Sequence, residues 1–347
     1  MIEPERIVAA PPHGGAARRP RRSRPRYVPR GIAGFIVWRV MHGVLTLFGV
    51  SLIIFLATQA LPGDAASAIL GRNATPQSLA ALRTQLGLDA SPLQQYLDWL
   101  RGLATGDFGQ SLTGDVPVTD LLRDRLVNSL TLVVLAGGIS IPLSLAIGAY
   151  AAVRRDGVFD TSSSIVTLVL AAVPEFIAGV ALIIVFATSA FHVLPAVTFL
   201  SPGQVPWSTP RQLVLPVATL VIAVTPYIAR LMRASMVEVL QSDYIEAARL
   251  KGLTNHSITW RHAAPNALGP ALQAIALTLS YLAGGIVVVE YLFNYPGIGQ
   301  AFQSAVATRD LPTIQAIALL IASIYVVANL AADVATILVT PRLRTRL

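Results

Sequence analysis

DYIEAARLKGLTNHSITWRHAAP, residues 243–265, is the stretch on which the reading of the whole chain turns. With the residues just before it, from 238 on, it is too polar to cross a bilayer, yet it lies between two long apolar runs. Asp243 is placed to cap the start of a helix, and Glu246, three residues on, completes a capping-box-like pair. Lys251 suits the last turn and Gly252 the position just past it. The spacing therefore predicts a helix of about two turns, roughly 12 Å long. Ala247 and Ala248 leave one side of it without bulk. Such a helix either lies at the headgroup boundary as an amphipathic connector or offers its small-residue side to another protein.

The apolar runs on either side belong to a chain of membrane composition. Of 347 residues, 54% are hydrophobic and only 13% charged, against roughly 25% charged in an average soluble domain. There is no cysteine, which excludes disulfide frameworks, thiolate metal sites and cysteine catalysis. The net charge of +8 does not point to nucleic acid, because nine of the 26 basic residues cluster at or before the start of the first apolar run. They are Arg6, Arg18, Arg19, Arg21, Arg22, Arg24, Arg26, Arg30 and Arg39, a topology signal or a contact for anionic lipid. The Pro, Gly, Ala and Arg content of residues 1–30 predicts a disordered tail. It is not a secretory signal, since the apolar run after it is too long and no small-residue cleavage site follows.

A spanning helix needs about 20 mainly apolar residues. Six stretches meet that length, at about 35–60, 128–153, 161–190, 213–237, 266–290 and 312–340. Pro174 and Glu175 sit near the middle of the third, which as two shorter segments would give seven spans. Charge arbitrates: six spans with both termini cytoplasmic place nineteen of the 26 basic residues inside, as the positive-inside rule requires. The expectation is an all-α polytopic membrane protein with six transmembrane helices, Pro174 kinking the third. Its parts are a basic cytoplasmic tail (1–34), a first span (35–60), an extracytoplasmic subdomain (61–127), a transmembrane core (128–340) holding the loop 238–265, and a basic cytoplasmic C-terminus (341–347). Within 61–127, Thr75-Pro76 opens a short helix running to Leu86 and Ser91-Pro92 another running to Leu103. No internal repeat is evident.

Glu246-Ala247-Ala248, three residues, Gly252, and then Pro265 resemble the EAA loop of permease subunits in binding-protein-dependent ABC importers. The usual Ile-x-Leu-Pro ending is replaced here by His262-Ala263-Ala264-Pro265. Three further stretches, in order, resemble the dipeptide, oligopeptide and nickel branch of that family: Leu61-Pro62-Gly63-Asp64, Gly106 to Ser111 (GDFGQS), and Tyr295 to Gln300 (YPGIGQ). The resemblance covers 35–347, with Thr340 standing where an acidic residue usually precedes Pro341-Arg342.

The resemblance implies a type I ABC importer permease fold in a bacterial cell membrane. It implies a second homologous permease subunit, two ATPase subunits or domains carrying ATP and magnesium, and an extracytoplasmic binding protein. The loop would be a coupling helix docked on an ATPase subunit through Asp243, Tyr244, Glu246, Ala247, Ala248, Lys251, Gly252 and Pro265. Cargo would be di- or oligopeptide, with nickel complexes, glutathione and short oligosaccharides open within the branch.

Ionisable residues inside a span are costly and face protein or water. Glu175 and Glu290 are candidates to line or gate a pathway, whereas Asp333 and Arg230 read as structural. Pro296, Gly297, Ile298 and Gly299 allow tight turning and close backbone approach, and the resemblance puts them near the periplasmic-side gate. No G-x-x-x-x-G-K-[ST] occurs, so no P-loop holds ATP phosphates, and neither H-E-x-x-H nor G-x-S-x-G is present. The five histidines show no metal-ligand spacing. No catalytic residue, metal or bound cofactor is expected of this chain. Two rivals remain: an ion-coupled secondary transporter, using Glu175, Glu290 and Asp333, and a membrane anchor for a cytoplasmic complex.

Overall fold

The computed structural model describes residues 32–339 except 61–64, 71–74, 86–88, 115 and 202. The expected tail up to residue 31, the Leu61-Pro62-Gly63-Asp64 motif and residues 340–347 lie outside the described residues. The elements are α1 (Ile32–Gln59), α2 (Ala65–Leu70), α3 (Pro76–Gln85), α4 (Pro92–Thr105), α5 (Val118–Val153), α6 (Val158–Ala172) and α7 (Glu175–Ile183). There follow α8 (Pro210–Leu240), α9 (Asp243–Leu250), α10 (Asn255–Ser257), α11 (Ala264–Leu292), α12 (Ile298–Thr308) and α13 (Leu311–Val339). Among the described residues no strand forms, and a single bridge pairs Gln110 with Pro117.

Four helical stretches are long and apolar enough to cross a membrane: Gly34–Gln59, Val118–Val153, Pro210–Leu240 and Leu311–Ala331. Val158–Ala172 with Glu175–Ser189 makes a fifth if the bent pair is one span. The stretch 266–290 lies within α11, a helix of 29 residues. Residues 161–190, expected as one helix kinked at Pro174, form two helices that meet at 101°. The cause is local. Pro174 has no N–H to donate and drives the residue before it out of helical geometry, and Val173 is accordingly extended, with φ −85° and ψ 123°.

The centre of the bundle is α5, α8 and α11. Leu132, Leu220, Val224, Ile228, Leu282, Ile286, Val289 and Phe293 form one buried cluster between them. Small residues let these helices close up, as membrane packing favours: at Gly148 of α5 a Cβ would overlap the Ala229 carbonyl of α8. By contrast α1 packs on α13 and leaves Val37, Val44, Leu45 and Ile53 uncovered, an apolar face of the kind that lipid or another membrane helix covers.

Bidentate contact from Arg233 of α8 to the buried Asp160 pins the start of α6, with Asp160 Oδ2 also accepting from the Asp156 amide at 3.0 Å. In α4, Ser91 and Gln94 form a capping box, and Gly106 closes the helix in the left-handed region at φ 80°. Asp310, buried before α13, accepts from the Ser111 hydroxyl at 2.5 Å, the Leu112 amide at 3.1 Å and the Thr313 hydroxyl at 2.8 Å. One carboxylate thus caps α13 and fastens the Gly106–Ser111 motif to it.

Candidate functional site

Helix α9 starts one residue earlier than the sequence suggests. Ser242, not Asp243, is the N-cap, and its side chain makes no capping bond; the hydroxyl donates back to the Val239 carbonyl at 2.6 Å. The expected capping box is therefore not formed, because Ile245 and not Glu246 falls three residues after the cap. Asp243 and Glu246 still lie in the first turn, where negative charge suits the helix dipole. The other end is sharply made: Gly252, at φ 80°, donates to Arg249 at 2.9 Å and Leu253 donates to Ala248 at 3.3 Å, the Schellman pattern. Lys251 is the C-cap.

The two alanines face different ways. Ile245 and Ala248 are buried with Met236, Ile258, Ala263 and Ala267, while Glu246, Ala247 and Leu250 are exposed. Leu250 is 84% exposed, an apolar side chain that the described residues do not cover. Lying five residues after Ile245, it points about 140° away around the helix, so the buried face dictates that it be presented outward. Tyr244 fixes the returning arm: its hydroxyl donates to the His262 carbonyl at 2.8 Å and accepts from Asn266 Nδ2 at 3.0 Å. Pro265 stands in the first turn of α11, directly after a π-helical turn at Ile258–Ala263, the kind of local helix distortion that accommodates a missing N–H.

At the other end of α11, Glu290 is fully buried. It accepts from the Ser129 hydroxyl at 2.5 Å, the Gly299 amide at 2.7 Å and the Gln300 amide at 3.3 Å, so a carboxylate from α11 caps the N-terminus of α12. Asn128 donates to the Pro296 carbonyl at 2.8 Å, and the Ser129 hydroxyl accepts from the Ile298 amide at 2.8 Å. Burial, reinforced by the Glu290 carboxylate, pushes the Tyr295 phenol above its ordinary range; it stays protonated and donates to the Asn128 carbonyl at 2.9 Å. A Cβ at Gly297 would overlap the Glu290 carboxylate, and one at Gly299 would overlap Val287 Cα. Glu290 and Pro296 to Gly299 are thus one clamp, completed by Asn128 and Ser129, which sequence reading did not single out.

Glu175 lies apart from both regions. It begins α7 and shares a groove with Thr46, Tyr281, Gly285 and Tyr325, accepting from the Tyr281 hydroxyl at 3.2 Å. Asp333 pairs with Arg39 at 2.9 Å, whereas Arg230 is exposed. Among the described residues no cluster of three or more His, Asp or Glu could hold a metal.

Residues 144–345 match the family described as binding-protein-dependent transport system inner membrane component, and residues 32–133 match its N-terminal membrane component. A probable peptide ABC transporter permease protein of Sinorhizobium fredii is 35% identical over 311 residues, 89% of this chain and 99% of its own length. A putative peptide transport system permease protein of Brucella abortus is 34% identical over 318 residues, 90% of this chain and 99% of its own. The glutathione transport system permease protein of Escherichia coli K12 is 34% identical over 310 residues, 89% of this chain and 98% of its own. A loop helix anchored on one face and bare on the other, set in a helical bundle of membrane composition, accords with that match, and the chain belongs to the inner-membrane permease subunits of binding-protein-dependent ABC importers.

Proposed function

We propose that this permease pairs with a second, homologous membrane subunit to form the pathway by which di- or oligopeptides, handed over by an extracytoplasmic binding protein, enter the cell. Two ATPase subunits or domains, holding ATP and magnesium, grip the α9 loops of the pair, and their closure alternates access between the two sides. On this reading the chain crosses six times, counting the bent α6–α7 pair and α11, with both termini and the α9 loop on the cytoplasmic side, the side that the distribution of basic residues favours. The 61–127 insertion then faces the binding protein, and the Glu290 clamp lies at the outer mouth as a gate.

One observation carries the reading: α9 is built to be held from inside and read from outside. Ile245 and Ala248 anchor it while Glu246, Ala247 and Leu250 stand exposed, a division that a connector lying in headgroups does not require. Peptide cargo is supported by the names of relatives aligned over nearly their whole length, and glutathione, itself a small peptide, by another.

Reconstitution with candidate ATPase subunits and a candidate binding protein tests the proposal. Uptake of peptide should require ATP. Uptake that persists without ATP and follows an imposed proton gradient would instead establish a secondary transporter.

A further inference from the structure

Three carboxylates, one each on α7, α11 and α13, are treated differently. Glu290 is buried with its oxygens filled by Ser129, Gly299 and Gln300. Asp333 is paired with Arg39. Glu175 has one hydrogen-bond partner among the described residues, the Tyr281 hydroxyl, and opens into a cavity of about 700 Å³ between α1, α7, α11 and α13. No cationic side chain lines that cavity among the described residues. Room for the carboxylate is made by Gly285, where a Cβ would stand 2.7 Å from Glu175 Oε2.

An ionisable side chain within a membrane-spanning segment is costly and is by default a candidate functional position. The wall around it is otherwise hydrocarbon, apart from Thr46, Tyr281 and Tyr325. The two tyrosines are 53% and 50% exposed, and the faces of such rings attract cations. An anion would meet a negative charge here and no positive one. The Tyr281 hydroxyl is spent on Glu175, which leaves few donors for a sugar.

We propose that this groove binds a primary ammonium group, the α-amine of a peptide or a lysine side chain, with Glu175 as counter-ion and Tyr281 and Tyr325 as flanking rings. The assignment rests on the importer reading above and names what the pathway of that importer recognises.

The test uses the full assembled transporter in lipid nanodiscs and dicyclohexylcarbodiimide, an apolar reagent for carboxyl groups, with modification of Glu175 followed by mass spectrometry. Trialanine carries an α-amine, N-acetyl-trialanine has none, and N-acetyl-Lys-Ala-Ala has only the side-chain amine. At about ten times its dissociation constant, a binding peptide slows labelling about tenfold, since only unoccupied sites react. Protection by trialanine or by N-acetyl-Lys-Ala-Ala, but not by N-acetyl-trialanine, supports the proposal and tells which amine is read. Equal protection by N-acetyl-trialanine, protection by sodium in place of potassium, or no protection by any peptide overturns it. Glu175→Gln must assemble and lose the label, which assigns the signal. ATP-driven uptake by the same preparation keeps the two ideas apart: wild-type protein without it sinks the importer reading whatever the labelling, while uptake without protection sinks the ammonium site alone.

Discussion

At one end of α11 the loop helix α9 buries Ile245 and Ala248 and leaves Glu246, Ala247 and Leu250 bare; at the other, Glu290 is buried and its carboxylate accepts from a hydroxyl and two amides of the same chain. Both ends are polar interruptions next to a long apolar helix, and both contain a glutamate and a glycine that shape a short helix. They differ in where the bonding capacity goes. The α12 end consumes it internally, so its residues determine whether the subunit is stable. The α9 end keeps its shape through a Schellman turn and a tyrosine tether, and reserves its outward side chains. A substitution at the first should damage the fold, and one at the second should damage an association.

Glu290→Ala is the harshest test of that contrast. It leaves the buried Ser129 hydroxyl and Gly299 amide, and the half-buried Gln300 amide, without their acceptor, at a cost of about 1–3 kcal/mol for each buried group left unmet. The purified subunit should melt at a markedly lower temperature, and melting like the wild type would break the clamp reading. Gly297→Ala comes next, because the added methyl group must displace the Glu290 carboxylate; overpacking of this kind costs about 1–3 kcal/mol, read as a lower Tm with uptake reduced in proportion to folded protein.

Gly252→Ala should have a smaller effect on melting, about 1 kcal/mol for holding a Cβ in the left-handed region. Its functional effect should be larger than that loss explains: ATP hydrolysis continues while uptake falls. Unchanged uptake and unchanged assembly would remove α9 from the coupling path. Leu250→Ser sharpens the contrast most finely. An exposed substitution shifts stability by less than about 0.5 kcal/mol, so Tm should hold while co-purification with the ATPase subunit weakens. Should Tm drop instead, Leu250 packs within this chain in membrane and the division of faces is wrong.

Local signals in the sequence carried far. Ser91 and Gln94 around Pro92 announce a helix start, and Gly252 announces a helix end, because each acts on backbone within a few residues. The same logic slipped at Asp243, where Ser242 occupies the cap and neither side chain makes the bond. Pro174 signalled a disturbance, but not its size: a proline says that a hydrogen bond is missing, whereas the angle depends on what the two halves pack against. The clamp was half legible, since Glu290 and Gly297 stood out and Ser129 did not. Nothing near Ser129 in sequence marks it, as its partner lies 161 positions away. Asp310 escaped for the same reason, its contact with Ser111 spanning 199 positions, although an aspartate two residues before Pro312 was a readable cap.

The break at Val173 and Pro174 has a consequence for water. A chain that turns by 101° within a membrane-crossing pair ends one helix and starts another there, and hydrocarbon cannot solvate the amides and carbonyls that the break sets free. The Tyr227 hydroxyl reaches the Ala171 carbonyl at 3.4 Å, a long bond for one group among several. Val173 donates to the Leu170 carbonyl at 3.3 Å, and the Pro174 carbonyl accepts from Ile177 at 3.0 Å; the groups left over need protein or water as a partner, and the break leads directly into Glu175. On the pathway proposed above, polar backbone at the break would offer a peptide replacement hydrogen bonds beside Glu175.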